Sequence, residues 1–286
     1  MGASAGTKPR RCIGCLLLLA ALLALPPVYG ADDQAQSAQA TQQKAQQEEQ
    51  RQQYQHALHL LGTRQYTRYF KLKPKLRDYS LFPYLEYKEY LARLSRQKES
   101  DLLAFAERHK DTPLVQPLLQ RWLENLAKRR EWDAFTKHYH LAPATKLMAC
   151  RYGYALHKLG RNDDMMQQAH KLWLVDYSQP DECDPVFKLW READGLTQEL
   201  AWRRFSLAIW ADQRQLARYL VRFLEASVQP YAHSFLKVQR SPQRIKRSRS
   251  YSAKNKYNRE IILYGIERLA RSDPEAALKA LNSYRA

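Results

Sequence analysis

Apolar residues recur along this chain at helical spacing and are interrupted at regular intervals by short polar turns. A helix end closing on an apolar residue, one small residue, a few polar residues and a new helix follow one another at Leu61-Gly62-Thr63-Arg64-Gln65-Tyr66 and at Leu94-Ser95-Arg96-Gln97-Lys98-Glu99. The pattern returns at Leu126-Ala127-Lys128-Arg129-Arg130-Glu131 and at Leu159-Gly160-Arg161-Asn162-Asp163-Asp164. The leading leucines stand 33, 32 and 33 residues apart, and looser copies start at Trp210-Ala211 and Leu269-Ala270. A helix-turn-helix unit of this period predicts a tetratricopeptide-like arrangement. The expected fold is therefore all-α, an α-superhelix or solenoid over residues 54–286, with small residues at the turns letting paired helices approach. Pro83, Pro113, Pro143, Pro185 and Pro274 read as helix boundaries or first-turn residues. Trp122, Trp132, Trp173, Trp190, Trp202 and Trp210 fall within or beside these helices, and inter-helix core is the expected role for them.

The two ends of the pattern differ from its middle. Lys8, Arg10 and Arg11 precede the apolar run Leu16–Leu25, and Val28-Tyr29-Gly30 supplies small residues for cleavage, which is the order of a secretory signal peptide over residues 1–30. The run is too short for a hydrocarbon core that needs about 20 residues. Ile13-Gly14-Cys15 is not a lipoprotein signal, because its cysteine comes before the apolar run. Residues 34–53 are half glutamine and carry no apolar stripe before Tyr54, Ala57, Leu58 and Leu61, so a frayed Gln-rich tail is expected over 31–53. Export places the chain in an oxidising periplasm. Removal of Cys12 and Cys15 with the signal leaves Cys150 and Cys183, an even pair expected to form one structural disulfide.

Composition narrows the function classes. Only 9 glycines occur in 286 residues, too few for a turn-rich β-sandwich, and no GxGxxG, GxxxxGK or HExxH motif is present. The formal net charge is +18, from 47 Lys+Arg against 29 Asp+Glu. No acidic residue occurs from Ala226 to Arg259, whereas Lys237, Arg240, Arg244, Lys246, Arg247, Arg249, Lys254, Lys256 and Arg259 all fall there. Such a run is either a solvated connector or an anion-binding patch. In an exported protein, anionic cell-wall glycan, lipid headgroups or an acidic protein are better partners for it than nucleic acid, and no nucleic-acid partner is expected. His138 and His140 form an HxH without companion ligands and read as surface histidines. Asp163 and Asp164 sit before a helix and read as cap and dipole partners. No cofactor, metal site or catalytic residue is assigned.

The middle of the chain resembles the N-terminal superhelical region of the soluble lytic murein transglycosylases. The likeness rests on Leu81-Phe82-Pro83-Tyr84-Leu85-Glu86-Tyr87, on Asp111-Thr112-Pro113-Leu114, and on Trp122-Leu123, Leu126-Ala127, Trp132 and Phe135. It is most specific at Cys150-Arg151-Tyr152, Leu172-Trp173-Leu174, Ser178-Gln179-Pro180, Cys183-Asp184-Pro185, Phe187 and Trp190, and it extends over residues 54–225. It implies that the two cysteines are bridged. It also implies a U-shaped or ring-like periplasmic superhelix supporting a separate lysozyme-like domain. That domain cleaves between N-acetylmuramic acid and N-acetylglucosamine and leaves a 1,6-anhydro end, using one Glu of a Glu-Ser pair followed by a Gly-Leu-Met-Gln-type segment. The single Glu-Ser pair here, Glu99-Ser100, opens a predicted helix with no such segment after it, so the lysozyme-like domain is expected to be absent. Two readings follow. The chain is the superhelical, non-catalytic part of a murein lytic transglycosylase. Alternatively, it is a free-standing helical repeat protein binding glycan strands or a periplasmic partner. Cell-wall synthesis or remodelling proteins are further candidate partners, and no transmembrane segment is expected in the mature chain.

Overall fold

The apolar positions Val115, Leu118, Leu119, Trp122, Leu123, Leu126 and Ala127 repeat at three- and four-residue steps, and all seven are buried on one side of a single helix. That relationship holds along the chain. The computed structural model describes residues 31–285; residues 1–30, expected from the sequence to be a signal peptide and containing Cys12 and Cys15, lie outside the described residues. The described residues form fourteen α-helices and no strand. They divide into two units meeting at Tyr79/Ser80.

The first unit contains α1 (Ala31–Gly62), α2 (Tyr66–Leu72) and a 3-10 turn at Lys73–Leu76. α1 packs on α2 and on that turn, burying Tyr54, Ala57, Leu60, Leu61, Tyr69 and Leu76. The expected frayed tail is instead the leading part of α1, exposed from residue 36 to 49. Gln and Ala are good helix formers, and Gln53 Nε2 donates to Glu49 Oε1 one turn back at 2.9 Å, so the segment is helical without a buried face.

The second unit carries α3 (Phe82–Ala92), α4 (Glu99–Arg108), α5 (Val115–Arg129), α6 (Trp132–His138), α7 (Lys146–Lys158) and α8 (Asn162–Trp173). It continues through α9 (Asp184–Glu192), α10 (Gln198–Trp210), α11 (Arg214–Leu220), α12 (Gln229–Arg240), α13 (Lys256–Ala270) and α14 (Pro274–Arg285). Neighbours in sequence are mostly neighbours in space: α5 on α6, α6 on α7, α7 on α8, α8 on α9, α10 on α11, α12 on α13 and α13 on α14. This serial stacking is the helix-turn-helix superhelix the spacing predicts. Two apolar cores result. One is centred on Phe105, Leu118, Trp122 and Phe135, the other on Trp173, Trp190, Phe205, Phe235 and Tyr264.

The six predicted turns all lie between consecutive helices, and those at residues 61–66, 126–131, 159–164 and 210–215 close in the same way as the turn between α9 and α10. Gln65, Glu131, Arg161, Gly195 and Gln213 donate their backbone N–H to the carbonyls of Leu60, Leu126, Leu156, Trp190 and Ala208, five residues back. The preceding residues, Arg64, Arg130, Gly160, Asp194 and Asp212, are left-handed, with φ between 54° and 72°. These are Schellman closures, which satisfy the last helical carbonyls. The close helix approach expected of the small residue is not present at Gly62, where an added Cβ would meet nothing within 4 Å. Four of the left-handed positions carry Arg or Asp instead of glycine.

Of the tryptophans, Trp122, Trp173, Trp190 and Trp202 are buried, Trp132 is half-buried, and Trp210 is 39% exposed with its ring 5.0 Å from Tyr264. Cys150 in α7 and Cys183 in the 3-10 turn before α9 are joined by a disulfide, with their Cα atoms 4.6 Å apart.

Candidate functional site

The basic stretch is an ordered connector between α12 and α13, not a loose loop. Lys237 and Arg240 end α12; 3-10 turns follow at Pro242–Lys246 and Ser248–Ser250; Lys256 and Arg259 lie in α13. Two apolar anchors hold the connector down. Ile245 is fully buried, and its carbonyl accepts from the Tyr284 hydroxyl of α14 at 2.7 Å. Tyr251 is also buried. Gly265 of α13 admits this packing, since a Cβ there would come within 3.0 Å of Ile245 and Val238. Asn255 then caps α13, its Oδ1 accepting from the N–H groups of Tyr257 and Asn258 at 2.9 and 3.1 Å.

The charges of the connector stay in water. All nine cations are exposed, and of the nine only Lys246 makes an ion pair with a described residue, reaching Asp273 at 3.6 Å. Glu260, the first carboxylate after the run, forms an ion pair with none of them. It accepts from Trp202 Nε1 at 2.6 Å and from the Ser206 hydroxyl instead. Burial pushes the Tyr251 hydroxyl up, and Arg244 and Arg247 oppose that rise, so both guanidinium groups lie within its field. Apart from Lys246, the stretch is thus a fixed display of unpaired positive charge.

Glu99 occupies the first turn of α4, as expected for an acid favoured by the helix dipole. Lys137 Nζ and His138 Nε2 each lie 2.8 Å from its Oε1. Hydrogen bonding from Lys137, then from His138, holds its carboxyl below the usual carboxylate range. His138 is buried, with its ring 5.0 Å from Trp122, which corrects its expected place on the surface; His140 is exposed. A pairing across 39 residues of sequence has no local signal. Asp164, in the first turn of α8, pairs with Arg161 at 2.7 Å. No three His, Cys, Asp or Glu side chains are grouped to hold a metal among the described residues, and none of the described helices is long and apolar enough to cross a membrane.

Sequence reasoning passes over one buried cation. Arg204 of α10 is 4% exposed and lies on the inward side with Ala201, Phe205 and Ala208. That register is the signal that could have found it.

No protein-family model matches the chain. Over 208 residues, 72% of its length, it is 29% identical to proteins named soluble lytic murein transglycosylase from Escherichia coli K12 and Salmonella typhimurium LT2. It spans about a third of those relatives, covering 32% of their length. Among solved structures it matches an inactive mutant of the lytic transglycosylase Slt of Pseudomonas aeruginosa with a TM-score of 0.69 and 31% identity, over 81% of this chain and 38% of that one. The 70-kDa soluble lytic transglycosylase of Escherichia coli matches with a TM-score of 0.64 and 27% identity, over 83% of this chain and 38% of that one.

Proposed function

We propose that this chain, homologous to the soluble lytic murein transglycosylases, forms helical scaffold belonging to such an enzyme, holding peptidoglycan strands in the periplasm without cleaving them itself. The observation that carries this reading is agreement in sequence and in helical architecture across most of the chain, at about a third of the relatives' length. Two features of the chain support the division of labour. The connector offers exposed cations to an anionic polymer. The Glu of the only Glu-Ser pair is held ionised by Lys137 and His138, whereas a general acid must begin the reaction protonated. Purified sacculi incubated with the chain should release no anhydro-muropeptides; such products above contaminant level would overturn the non-catalytic part of the reading.

Binding is the positive half. Interactions between exposed charges are screened beyond about 8–10 Å at physiological salt, so attraction by the connector is expected to fade as salt rises. The chain should co-sediment with sacculi at low ionic strength and much less at high. Changing Arg244, Arg247 and Arg249 together with Lys246 to Gln should weaken low-salt sedimentation several-fold. Equal sedimentation of parent and variant would reduce the stretch to a solvated connector. Partners among cell-wall synthesis or remodelling proteins belong to the same reading, since a scaffold of stacked helices presents a long surface.

A further inference from the structure

We infer that the groove walled by α8, α9, α10 and α11 is a binding site for the free carboxylate of a short zwitterionic peptide, received by Arg204. The groove encloses about 420 Å³ and is lined by Trp173, Gln179, Asp184, Phe187, Arg204 and Tyr219 among others. It stands apart from the basic connector, and its chemistry is different.

Arg204 is the centre of the argument. Its guanidinium carbon lies 4.3 Å from the Trp173 ring centroid and 5.3 Å from that of Phe187. Aromatic faces satisfy the flat sides of a guanidinium and leave its N–H edge for in-plane hydrogen bonds. That edge is not fully used. Arg204 makes no ion pair with any described residue, and its buried Nε has no acceptor. Burial depresses the guanidinium to about 10, the cost of a desolvated cation without a carboxylate beside it. A buried charge left in this state is unusual in a structural role, where a carboxylate or a carbonyl normally closes the edge.

The remaining polar groups specify the other end of the ligand. Asp181 and Asp184 line the same groove, and neither is paired with Arg204. Gln179 is fixed by its Nε2, which donates to the Leu172 carbonyl at 2.7 Å, leaving its Oε1 buried and unpaired. The groove therefore offers an unfilled donor edge at Arg204 and acceptors at Gln179, Asp181 and Asp184. A polyanion would be repelled by the two aspartates, and a simple cation by Arg204 and Arg191. A molecule carrying one carboxylate and one amine meets both sets. Tyr219 and Phe223 supply apolar wall between them. Peptides of the cell wall and ordinary peptide fragments both have these groups, and configuration distinguishes them.

The test uses all-L and all-D trialanine, each as the free acid, the C-terminal amide and the N-acetyl derivative. The full chain is observed through its arginine Nε–H resonances, with the Arg204 signal assigned by its loss in Arg204→Lys. The expected result is a saturable shift of that signal with the free acid of at least one configuration at millimolar peptide. Binding of the amide should be about tenfold or more weaker, because a hydrogen-bonded charge pair is lost. N-acetylation should weaken binding by a smaller factor. Preference for the D form points to wall-derived peptide, and preference for the L form to ordinary peptide. Arg204→Met, which lacks the reporting resonance and is therefore followed by calorimetry with the free acid, should show no binding. The comparison of acid with amide on the unaltered protein stands even if that variant fails to fold. An Arg204 signal that moves with neither configuration, or equally with acid and amide, overturns the assignment.

Discussion

Replacing Cys150 and Cys183 with serine is expected to destabilise the region from α7 to α9 by about 3–4 kcal/mol. The two cysteines are 33 residues apart, and in the chain-entropy picture a cross-link of that span restricts the unfolded ensemble by about this amount. Both residues are fully buried, so the reduced protein also exposes the core containing Leu172, Val186 and Trp190 more readily when it opens. The measurement is denaturant unfolding of the oxidised protein against the double variant, followed by hydrogen exchange in α7, α8 and α9. Identical midpoints with unchanged protection in those helices would show that the bridge is thermodynamically idle.

Gly195→Ala should destabilise the chain by roughly 3 kcal/mol or more, the upper range for overpacking a core. Gly195 follows the left-handed Asp194 and donates its N–H to the Trp190 carbonyl at 2.9 Å, which lays its Cα against the indole of its own helix end. An added methyl would overlap Nε1 and Cδ1 of Trp190 and lie 2.8 Å from Met166 Cε. The methionine can swing aside. Trp190 cannot, because it is 2% exposed and packed 5.6 Å from the Trp173 ring. Gly62→Ala is the matched control. Its Cβ meets nothing, so the change should be neutral or stabilise α1 by up to about 1 kcal/mol. Similar thermal midpoints for the two variants would contradict this account of the α9 closure.

Much of the architecture could be read from the sequence because it is local. The leucine spacing located turns, and the turns formed at those places because a helix ending on an apolar residue must bury it before reversing. What escaped was set by distant packing. Arg64 and Arg130 are left-handed although nothing in their side chains favours it; the Schellman bonds at their helix ends compensate. The Gln-rich segment lacks an apolar stripe, so its periodicity was silent, yet propensity alone made it helical. His138 looked solvent-facing until folding brought Glu99 to it. The basic run was visible as charge, but its anchoring through Ile245 and Tyr251 depends on α13 and α14. Arg204, beside Arg203, resembles any surface arginine unless its register in α10 is counted.

The serial stacking of helices across residues 82–285 has a consequence for how the molecule comes apart. When each element leans mainly on its neighbours in sequence, cooperativity travels stepwise, and stability behaves as a row of linked couplings. Disruption then advances like a zipper from whichever end is weaker. The covalent tie between α7 and the turn before α9 sits inside that row and acts as a stop, so that fraying of the terminal helices need not spread through the middle. A protein built this way can yield at its extremities while its interior segments keep their shape.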